Sequence, residues 1–411
     1  MKILCLNAYF EPEITADTHL EHDLLEAHVK EGNEVFLICP TPTRGISKET
    51  IKEYTGRKKE ELFDGHVHVR RFYAPQEGQN PISRALRYFW CNLRTYQAGK
   101  KSRGVDAVYS NSTPPTQGWI AGKVARRLKV PFIYSLQDIF PDTLVSSGLT
   151  EDGSLLWKIG RKIEKATYAG SSSIITINRA MENNLLKKGV EKEKITVISN
   201  WIDAESIQPV ERSTNKLFDE FGIERSRFIV LYAGNLGESQ GAEVILDAAD
   251  KLKEENNIQF VIFGAGALYE TFAQKAKNMK NVFLHPLLPQ ARVPEVYSMG
   301  DVALITCKKG VGTSAMPSKL WSILACNTRT IAAFDLDSEL CEQIRSMDAG
   351  LCVEPENADA LAEAILEEMN FGKGKNHDLR PAVIRTASKE ICTSSYLRVI
   401  REAVDQRKQR G

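Results

Sequence analysis

The stretch GVGTSAMPSKLWSILA, residues 310–325, follows the apolar run DVALITC at residues 301–307. The run predicts a buried strand, and the glycines predict a strand-to-helix loop, with Ser314 as a cap and Pro317 in the first helical turn. The start of such a helix offers backbone N–H groups and a positive dipole end to an anion, and Lys319 adds a full charge. Alone, the stretch predicts either a diphosphate site or an ordinary strand–helix turn with Lys319 in solvent.

Length and composition limit the class of protein. A chain of 411 residues predicts two domains, and 42% hydrophobic and 26% charged residues are typical of a soluble globular protein. The net charge of +1 gives no overall field for binding nucleic acid. Eight cysteines without a C-x-x-C pair favour a reducing compartment over a disulfide framework or structural zinc site. No apolar run reaches transmembrane length, so we expect a cytoplasmic protein that could still touch a membrane surface.

Strand-like and helix-like stretches alternate along both halves of the chain. The first alternation starts at MKILCLNA and the second at FIVLYAGN, residues 228–235. This order predicts an α/β fold with parallel sheets built from right-handed βαβ units. The aperiodic stretch 200–209 separates the halves, which predicts domains at 1–203 and 204–385 and a C-terminal helical segment at 386–411. Residues 44–61 show no period and predict a surface loop.

Residues 81–103 are both basic and aromatic. Leu86, Phe89, Trp90 and Leu93 alternate there with arginines and lysines, and no acidic residue interrupts them. This composition is typical of a helix lying on an anionic membrane face. An ordinary amphipathic helix with its aromatic side chains in the core is an equal alternative.

Candidate site residues follow the strands, because ligands of open α/β sheets bind beyond the carboxyl ends of the strands. In the second half, Gly234 and Asn235 follow one strand, Gly264 and Gly266 follow the next, and the 310–319 loop follows a third. Glycines after three strands predict close approach of a ligand's phosphates to the backbone. The Gly-Ala-Gly of residues 264–266 lacks the third glycine of a nicotinamide-binding fingerprint.

In the first half, the corresponding positions are Tyr9, His19, Ser112, Gln137 and Asp138. Asp138 could act as a base, orient a substrate hydroxyl, or cap a helix. His19, His22 and His28 fall on one predicted helix and are interpreted mainly as surface residues. No zinc-ligand spacing or Ser-His-Asp order stands out, so we predict no metal.

Five motifs in order, YFEPE after MKI, VISNWID, YAGNLGESQG, FGAG and PSKLWSILA, resemble those of retaining glycosyltransferases of family 4. The resemblance covers nearly the whole chain. It implies the GT-B fold, with two facing Rossmann-like domains, the donor in the C-terminal one, and a C-terminal helix packing back on the first. PSKLWSILA is similar to the branch of N-acetyl-sugar (N-acetylfucosamine-type) transferases of O-antigen and capsule assembly.

The resemblance also implies a function. It implies a hexosyltransferase-type enzyme without a cofactor that moves a sugar from a UDP-sugar to a lipid-linked saccharide acceptor at the inner face of the cytoplasmic membrane, with no nucleic-acid partner. The catalytic residues would be Asp138 and Lys319, and the acceptor side would include Tyr9, His19, Ser112 and Gln137. The residues expected at the donor are Gly234, Asn235, Gly264, Gly266, Ser314, Pro317, Ser318, Lys319 and Ser322.

The chain departs from the family pattern at the donor site. The family's arginine and lysine on the diphosphate correspond to Asn235 and Gln240, and its two glutamates correspond to Ser314 and Ser322. The family's histidine near Asp138 is replaced by Gln137. These departures leave two alternatives open: a non-catalytic sugar-nucleotide-binding subunit of a polysaccharide assembly complex, and a UDP-sugar epimerase on the same architecture.

Overall fold

The chain forms two compact α/β units. The structure, a computed structural model, describes residues 1–13, 15, 18–77, 80–146, 150–371 and 378–410. The first unit comprises Met1–Ser199 with Cys392–Gly411, and the second comprises Asn200–Ile391. Each unit has its own sheet with helices on its faces.

The first unit is built on an eight-stranded sheet with the order β3-β4-β2-β1-β5-β6-β7-β8. All neighbouring strands are parallel except β3, which runs antiparallel to β4 at the edge. Most of its strands are buried apolar runs, as expected where helices cover both faces of a parallel sheet. The strands are β1 (Lys2–Leu6), β2 (Glu34–Pro40), β3 (Lys59–Leu62), β4 (Val67–Phe72), β5 (Ala107–Asn111), β6 (Phe132–Leu136), β7 (Ser173–Thr176) and β8 (Ile195–Val197).

Helices connect these strands. They are α1 (Thr18–Lys30), α2 (Lys48–Gly56), α3 (Pro81–Gly99), α4 (Gln117–Leu128), α5 (Asp142–Ser146), α6 (Leu155–Gly170) and α7 (Arg179–Lys187). The prediction of a surface loop over residues 44–61 is wrong, because this segment contains α2 and β3. Ser47 caps α2 by accepting a hydrogen bond from the Thr50 N–H, yet the helix buries no residue. A helix without a buried face has no apolar period to detect.

The second unit is built on a six-stranded parallel sheet with the order β11-β10-β9-β12-β13-β14. The strands are β9 (Phe228–Asn235), β10 (Ile258–Ala265), β11 (Val282–Pro286), β12 (Val302–Thr306), β13 (Arg329–Ala333) and β14 (Gly350–Val353). Its helices are α8 (Leu217–Glu220), α9 (Glu243–Lys251), α10 (Tyr269–Ala276), α11 (Val293–Tyr297), α12 (Lys319–Ala325), α13 (Glu339–Ser346), α14 (Ala358–Phe371) and α15 (Arg380–Ala387). Leu231 and Tyr232 of β9 face opposite sides of the sheet, in separate cores.

The last helix, α16 (Lys389–Arg410), begins in the second unit and continues in the first. The Tyr396 hydroxyl lies 3.2 Å from the Ser135 hydroxyl of β6, and Arg401 pairs with Glu31. The prediction of parallel α/β sheets with a C-terminal helix returning to the first unit is therefore confirmed. Among the helices of the described ranges, none combines the length and hydropathy needed to span a membrane.

Candidate functional site

Lys319 covers the end of β9 in the second unit. Its Nζ donates a hydrogen bond to the Ala233 carbonyl at 3.2 Å and lies 4.6 Å from the centre of the Tyr232 ring. Lys319 forms no ion pair with any described residue, and burial lowers its pKa to about 8. A half-buried ammonium without a carboxylate partner can stabilise a bound anion, because the desolvated charge gains more from an opposite charge than a solvated one does.

Gly234 makes room for this ammonium. Its φ is +153°, and a Cβ at this position would lie 2.7 Å from the Lys319 Nζ. Any larger residue would therefore displace the charged group or strain the backbone. The structure thus places two predicted donor residues, Gly234 and Lys319, in direct contact.

The 310–312 loop does not offer the backbone donors expected of it. The Gly310 and Gly312 N–H groups donate to the two carboxylate oxygens of Asp335, at 2.9 and 2.7 Å, and the Lys309 N–H donates to Glu356 at 3.1 Å. These groups are already satisfied by anionic side chains of the same unit. The expectation that these N–H groups are free for an anion is therefore wrong, and the binding of a diphosphate at Lys319 stays a prediction.

Pro317 and Ser314 also lie differently from the prediction. α12 begins at Lys319 with Ser318 as the N-cap, so Pro317 precedes the helix, and Ser314 belongs to a separate 3-10 helix, Gly312–Ser314. The side chain of Ser314 falls outside the described residues. Ser318 is exposed and makes no capping bond, and Ser322 is half-buried one turn further along the same side of α12.

The remaining donor candidates surround the carboxyl ends of β9 and β10. Asn235 donates through Nδ2 to Gln240 Oε1 at 3.2 Å, so the two residues that the resemblance aligns with the family's cations bind each other. A Cβ on Gly266 would lie 2.4 Å from Asn235 Oδ1, and one on Gly264 would lie 2.4 Å from the Leu236 side chain. Packing of the loops therefore already accounts for both of these glycines.

In the first unit, Ser112 joins the ends of β5 and β6. Its hydroxyl accepts hydrogen bonds from the Gln137 N–H at 2.9 Å and the Asp138 N–H at 3.3 Å. Gln137 turns back, with Nε2 3.4 Å from the Ser135 hydroxyl, whereas Asp138 is exposed. The predicted acceptor-side residues Ser112 and Gln137 thus lie beside the predicted catalytic residue Asp138 at one edge of the sheet.

Tyr9 contacts side chains of neighbouring segments in the first unit. The buried Tyr9 donates through its hydroxyl to Glu77 at 3.1 Å, and the guanidinium groups of Arg44 and Arg87 lie over its ring. Tyr9 therefore supports the loops around it. His19 is exposed in the first turn of α1.

Sequence reasoning missed Glu21. Its carboxylate accepts hydrogen bonds from Asn7 at 2.9 Å and Asn111 at 3.2 Å, at the ends of β1 and β5. A small recess beside it is lined in part by Tyr9, Thr18 and Asn111. In the sequence, the polar residues Asn7 and Asn111 at the ends of two strands indicate a nearby polar partner. A glutamate in the first turn of a helix, however, resembles an ordinary capping residue.

Two histidines, His28 and His285, pack against neighbouring side chains of their own units. His28 is fully buried beside Asn33, which corrects its interpretation as a surface residue, and burial lowers its pKa to about 4. His285 packs against Phe221 with the rings tilted and their centres 4.3 Å apart. Within the described residues, no group of three histidine, cysteine or acidic side chains is placed to hold a metal ion.

Comparisons with known proteins cover both units. A family model described as "Glycosyltransferase Family 4" matches residues 21–206, and one described as "Glycosyl transferases group 1" matches residues 213–383. WcaI of Escherichia coli, named as a colanic acid biosynthesis glycosyl transferase, is 27% identical over 98% of this chain and 100% of its own length. WbjE of Pseudomonas aeruginosa, named as a glycosyltransferase, is 26% identical over 72% of this chain and 74% of its own.

Solved structures share the fold at low identity. Sucrose-phosphate synthase from Thermosynechococcus elongatus superposes with a TM-score of 0.72 and 16% identity, over 98% of this chain and 99% of that chain. HepE of Anabaena, solved with UDP, has a TM-score of 0.70 and 14% identity, over 98% of this chain and all of that chain. Such likeness establishes the architecture.

Proposed function

Because this chain is a glycosyltransferase of family 4 with the GT-B fold, we propose that it moves a sugar from a UDP-sugar to a lipid-linked saccharide acceptor. The single observation that carries the donor assignment is the half-buried ammonium of Lys319 beside Gly234, without a carboxylate partner in the described chain. HepE, which shares the fold, has been solved with UDP. WcaI, which matches the full chain, is named for colanic acid biosynthesis, which favours a role in cell-surface polysaccharide assembly.

Lys319 would act mainly on the leaving group. As the bond between the anomeric carbon and the diphosphate oxygen breaks, negative charge grows on that oxygen, and a fixed ammonium in a poorly solvated site stabilises it. Ser318 and Asn235 would bind the phosphates, with Gly234 keeping the space open, and Ser322 would reach the ribose. The donor sugar in this proposal is an N-acetylated amino sugar, as the PSKLWSILA motif suggests.

Transfer would proceed with retention of the anomeric configuration. The acceptor hydroxyl attacks the anomeric carbon from the face that the diphosphate leaves, and its proton passes to a diphosphate oxygen. Asp138 would orient a hydroxyl of the acceptor or donor sugar, with Ser112 fixing its backbone. Orientation and leaving-group stabilisation then supply most of the rate, and no metal is needed.

The lipid-linked acceptor places the protein at the inner face of the cytoplasmic membrane in this proposal. Leu86, Phe89, Trp90 and Leu93 of the basic α3 are exposed, which favours contact with lipid over burial in the core for these side chains.

A non-catalytic binding subunit is the second candidate, favoured by one observation. Asn235 and Gln240 bind each other where the family has cations, and Asp335 occupies the N–H groups of the 310–312 loop. The phosphate contacts left to Lys319 could support binding without adequate stabilisation of the leaving group.

An assay of UDP release distinguishes the transferase from the binding subunit. It uses a panel of UDP-sugars as donors and lipid-linked saccharides extracted from membranes as acceptors. The transferase predicts acceptor-dependent UDP release, unaffected by EDTA, and a product with the donor's anomeric configuration by NMR. UDP-sugar affinity by calorimetry without release in any combination would support the binding subunit instead.

A further inference from the structure

We propose that the outward surface of three neighbouring helices of the first unit, α3, α4 and α6, docks flat on an anionic lipid bilayer. The outward side chains of these helices are called the three-helix face below. The inference rests on the proposed function for its purpose, since a lipid-linked acceptor would bring the protein to a bilayer.

The three helices lie side by side in parallel on one face of the sheet. Asn92 of α3 donates to the hydroxyl of Thr116, which precedes α4, at 2.8 Å. About two turns further along both helices, a Cβ on Gly99 of α3 would lie 3.0 Å from Val124 of α4. On the other side, Gly118 of α4 packs against Thr167, and Gly122 lies beside Gly170. Their outer surfaces therefore form one continuous layer.

α3 and α6 both extend beyond the start of α4. Residue 92 of α3 and residue 167 of α6 lie level with the first turn of α4. About 11 residues of α3 and 12 of α6 precede these levels, which at 1.5 Å per residue gives overhangs of roughly 16 and 18 Å. The two overhangs flank the start of α4 on either side.

The overhangs carry the exposed apolar side chains. In α3, Leu86 and Phe89 are 65% and 70% exposed, on the opposite side from the buried Arg87 and Cys91. In α6, Leu155 and Ile159 are 76% and 48% exposed, opposite the buried Glu164. Each helix is thus anchored inward while an apolar ridge faces solvent, which is the pattern of helices that lie in a membrane interface.

Positive charge covers the rest of the face. The outward positions of α4 are Lys123, Arg126 and Arg127, all exposed. Together the three helices contain ten basic residues, of which Arg87 is buried, and one acidic residue, the buried Glu164, in a chain whose net charge is only +1. Such segregation complements a surface of anionic headgroups and disfavours most proteins, whose surfaces mix both signs.

A groove between α3 and α4 combines exposed apolar side chains with basic residues. It has a volume of about 690 Å³, and it is lined by Phe89, Leu93 and Trp119 together with the basic Lys123 and Arg127. A groove with both apolar and cationic lining suits a lipid that places an acyl chain on the apolar side chains and its phosphate near the cations.

Co-sedimentation of the full chain with vesicles, without donor or acceptor, tests this surface. We expect binding to phosphatidylcholine vesicles containing about 30% phosphatidylglycerol and much weaker binding to pure phosphatidylcholine, since each basic residue near an anionic surface contributes about fivefold. Replacing Arg126 and Arg127 together with glutamine should lower the partition coefficient by about thirtyfold, and L155S/I159S should lower it severalfold.

The matched control lies on the opposite face of the sheet. Ser135 of β6 contacts Tyr396 of α16, whereas the neighbouring Tyr134 packs toward α4, so α16 covers the other side. Replacing the exposed Arg398 and Arg407 of α16 with glutamine removes two positive charges, as the Arg126 and Arg127 replacement does, and should leave vesicle binding unchanged. Unchanged melting temperatures would exclude misfolding in all variants.

Equal binding to both vesicle types, or equal losses in the control and α4 variants, would overturn the proposal. If the protein does not bind vesicles, and light scattering shows a dimer that L155S/I159S abolishes, the face would be assigned to a second copy of the chain instead. Calorimetry with UDP on the same samples separates the two proposals: lost vesicle binding with intact UDP binding refutes only the docking surface, and the reverse refutes only the donor assignment.

Discussion

Replacement of Gly234 with alanine tests whether the glycine acts through Lys319. The new Cβ would lie 2.7 Å from the Lys319 Nζ, whereas an unstrained contact needs about 3.5 Å, so the ammonium must move by roughly 0.8 Å. That shift disturbs its bond to the Ala233 carbonyl and its aim at a bound phosphate. A charge-assisted hydrogen bond contributes about 1.5–3 kcal/mol, so we expect UDP affinity to fall by roughly tenfold to a hundredfold.

A double-mutant cycle isolates this coupling. With UDP titrated calorimetrically, G234A should weaken binding strongly in the wild-type background and hardly at all in the K319A background, because the displaced group is already missing. Gly222 provides the control: its φ is +65° and no atom lies within 4 Å of a Cβ there, so G222A carries backbone strain of about 1 kcal/mol without touching the site. Equal weakening by G234A in both backgrounds would refute the reasoning, because the effect would then not pass through Lys319.

Three further predictions concern Lys319 and a buried ion pair of the second unit. K319A should reduce UDP-sugar turnover by more than tenfold, while K309A, at an exposed lysine of the neighbouring loop, should retain it; equal turnover in both would remove Lys319 from the reaction. UDP should bind more weakly above pH 8, by about tenfold at pH 9, because burial lowers the pKa of Lys319 to about 8 and only the charged form attracts the diphosphate. In calorimetry, K319R should abolish this pH dependence of UDP affinity. A wild-type affinity that does not change between about pH 7 and pH 9 would contradict the prediction. E368A should destabilise the second unit by about 3 kcal/mol in urea unfolding, because the bidentate partner, Arg329, would remain largely buried without its carboxylate; a loss below about 1 kcal/mol would refute this.

The sheets were predictable because their strands are continuous apolar runs. β9 occupies the predicted residues 228–235, and β12 falls within the predicted 301–307. Burial on both faces makes such strands almost uniformly apolar, so their composition alone indicates them. In contrast, α2 buries no residue, and its cap at Ser47 is its main local signal.

The contacts of the candidate site were less predictable because they join distant parts of the chain. The order of strands brings Gly234 beside Lys319, and no local pattern encodes that contact. The same limit explains the error at Gly310 and Gly312. Their glycine pattern indicates an anion site, and the anion that fills it is Asp335, more than twenty residues further along the chain.

Calorimetric titration of UDP into the wild-type chain and into K319A tests the central claim most directly, with GDP and ADP as competing nucleotides. We expect UDP to bind the wild type in preference to the other two, and to bind K319A at least about tenfold more weakly, in line with the loss of one charge-assisted contact. Equal affinity of UDP for the two proteins, or no binding to either, would contradict the assignment of Lys319 and the end of β9 to the donor diphosphate.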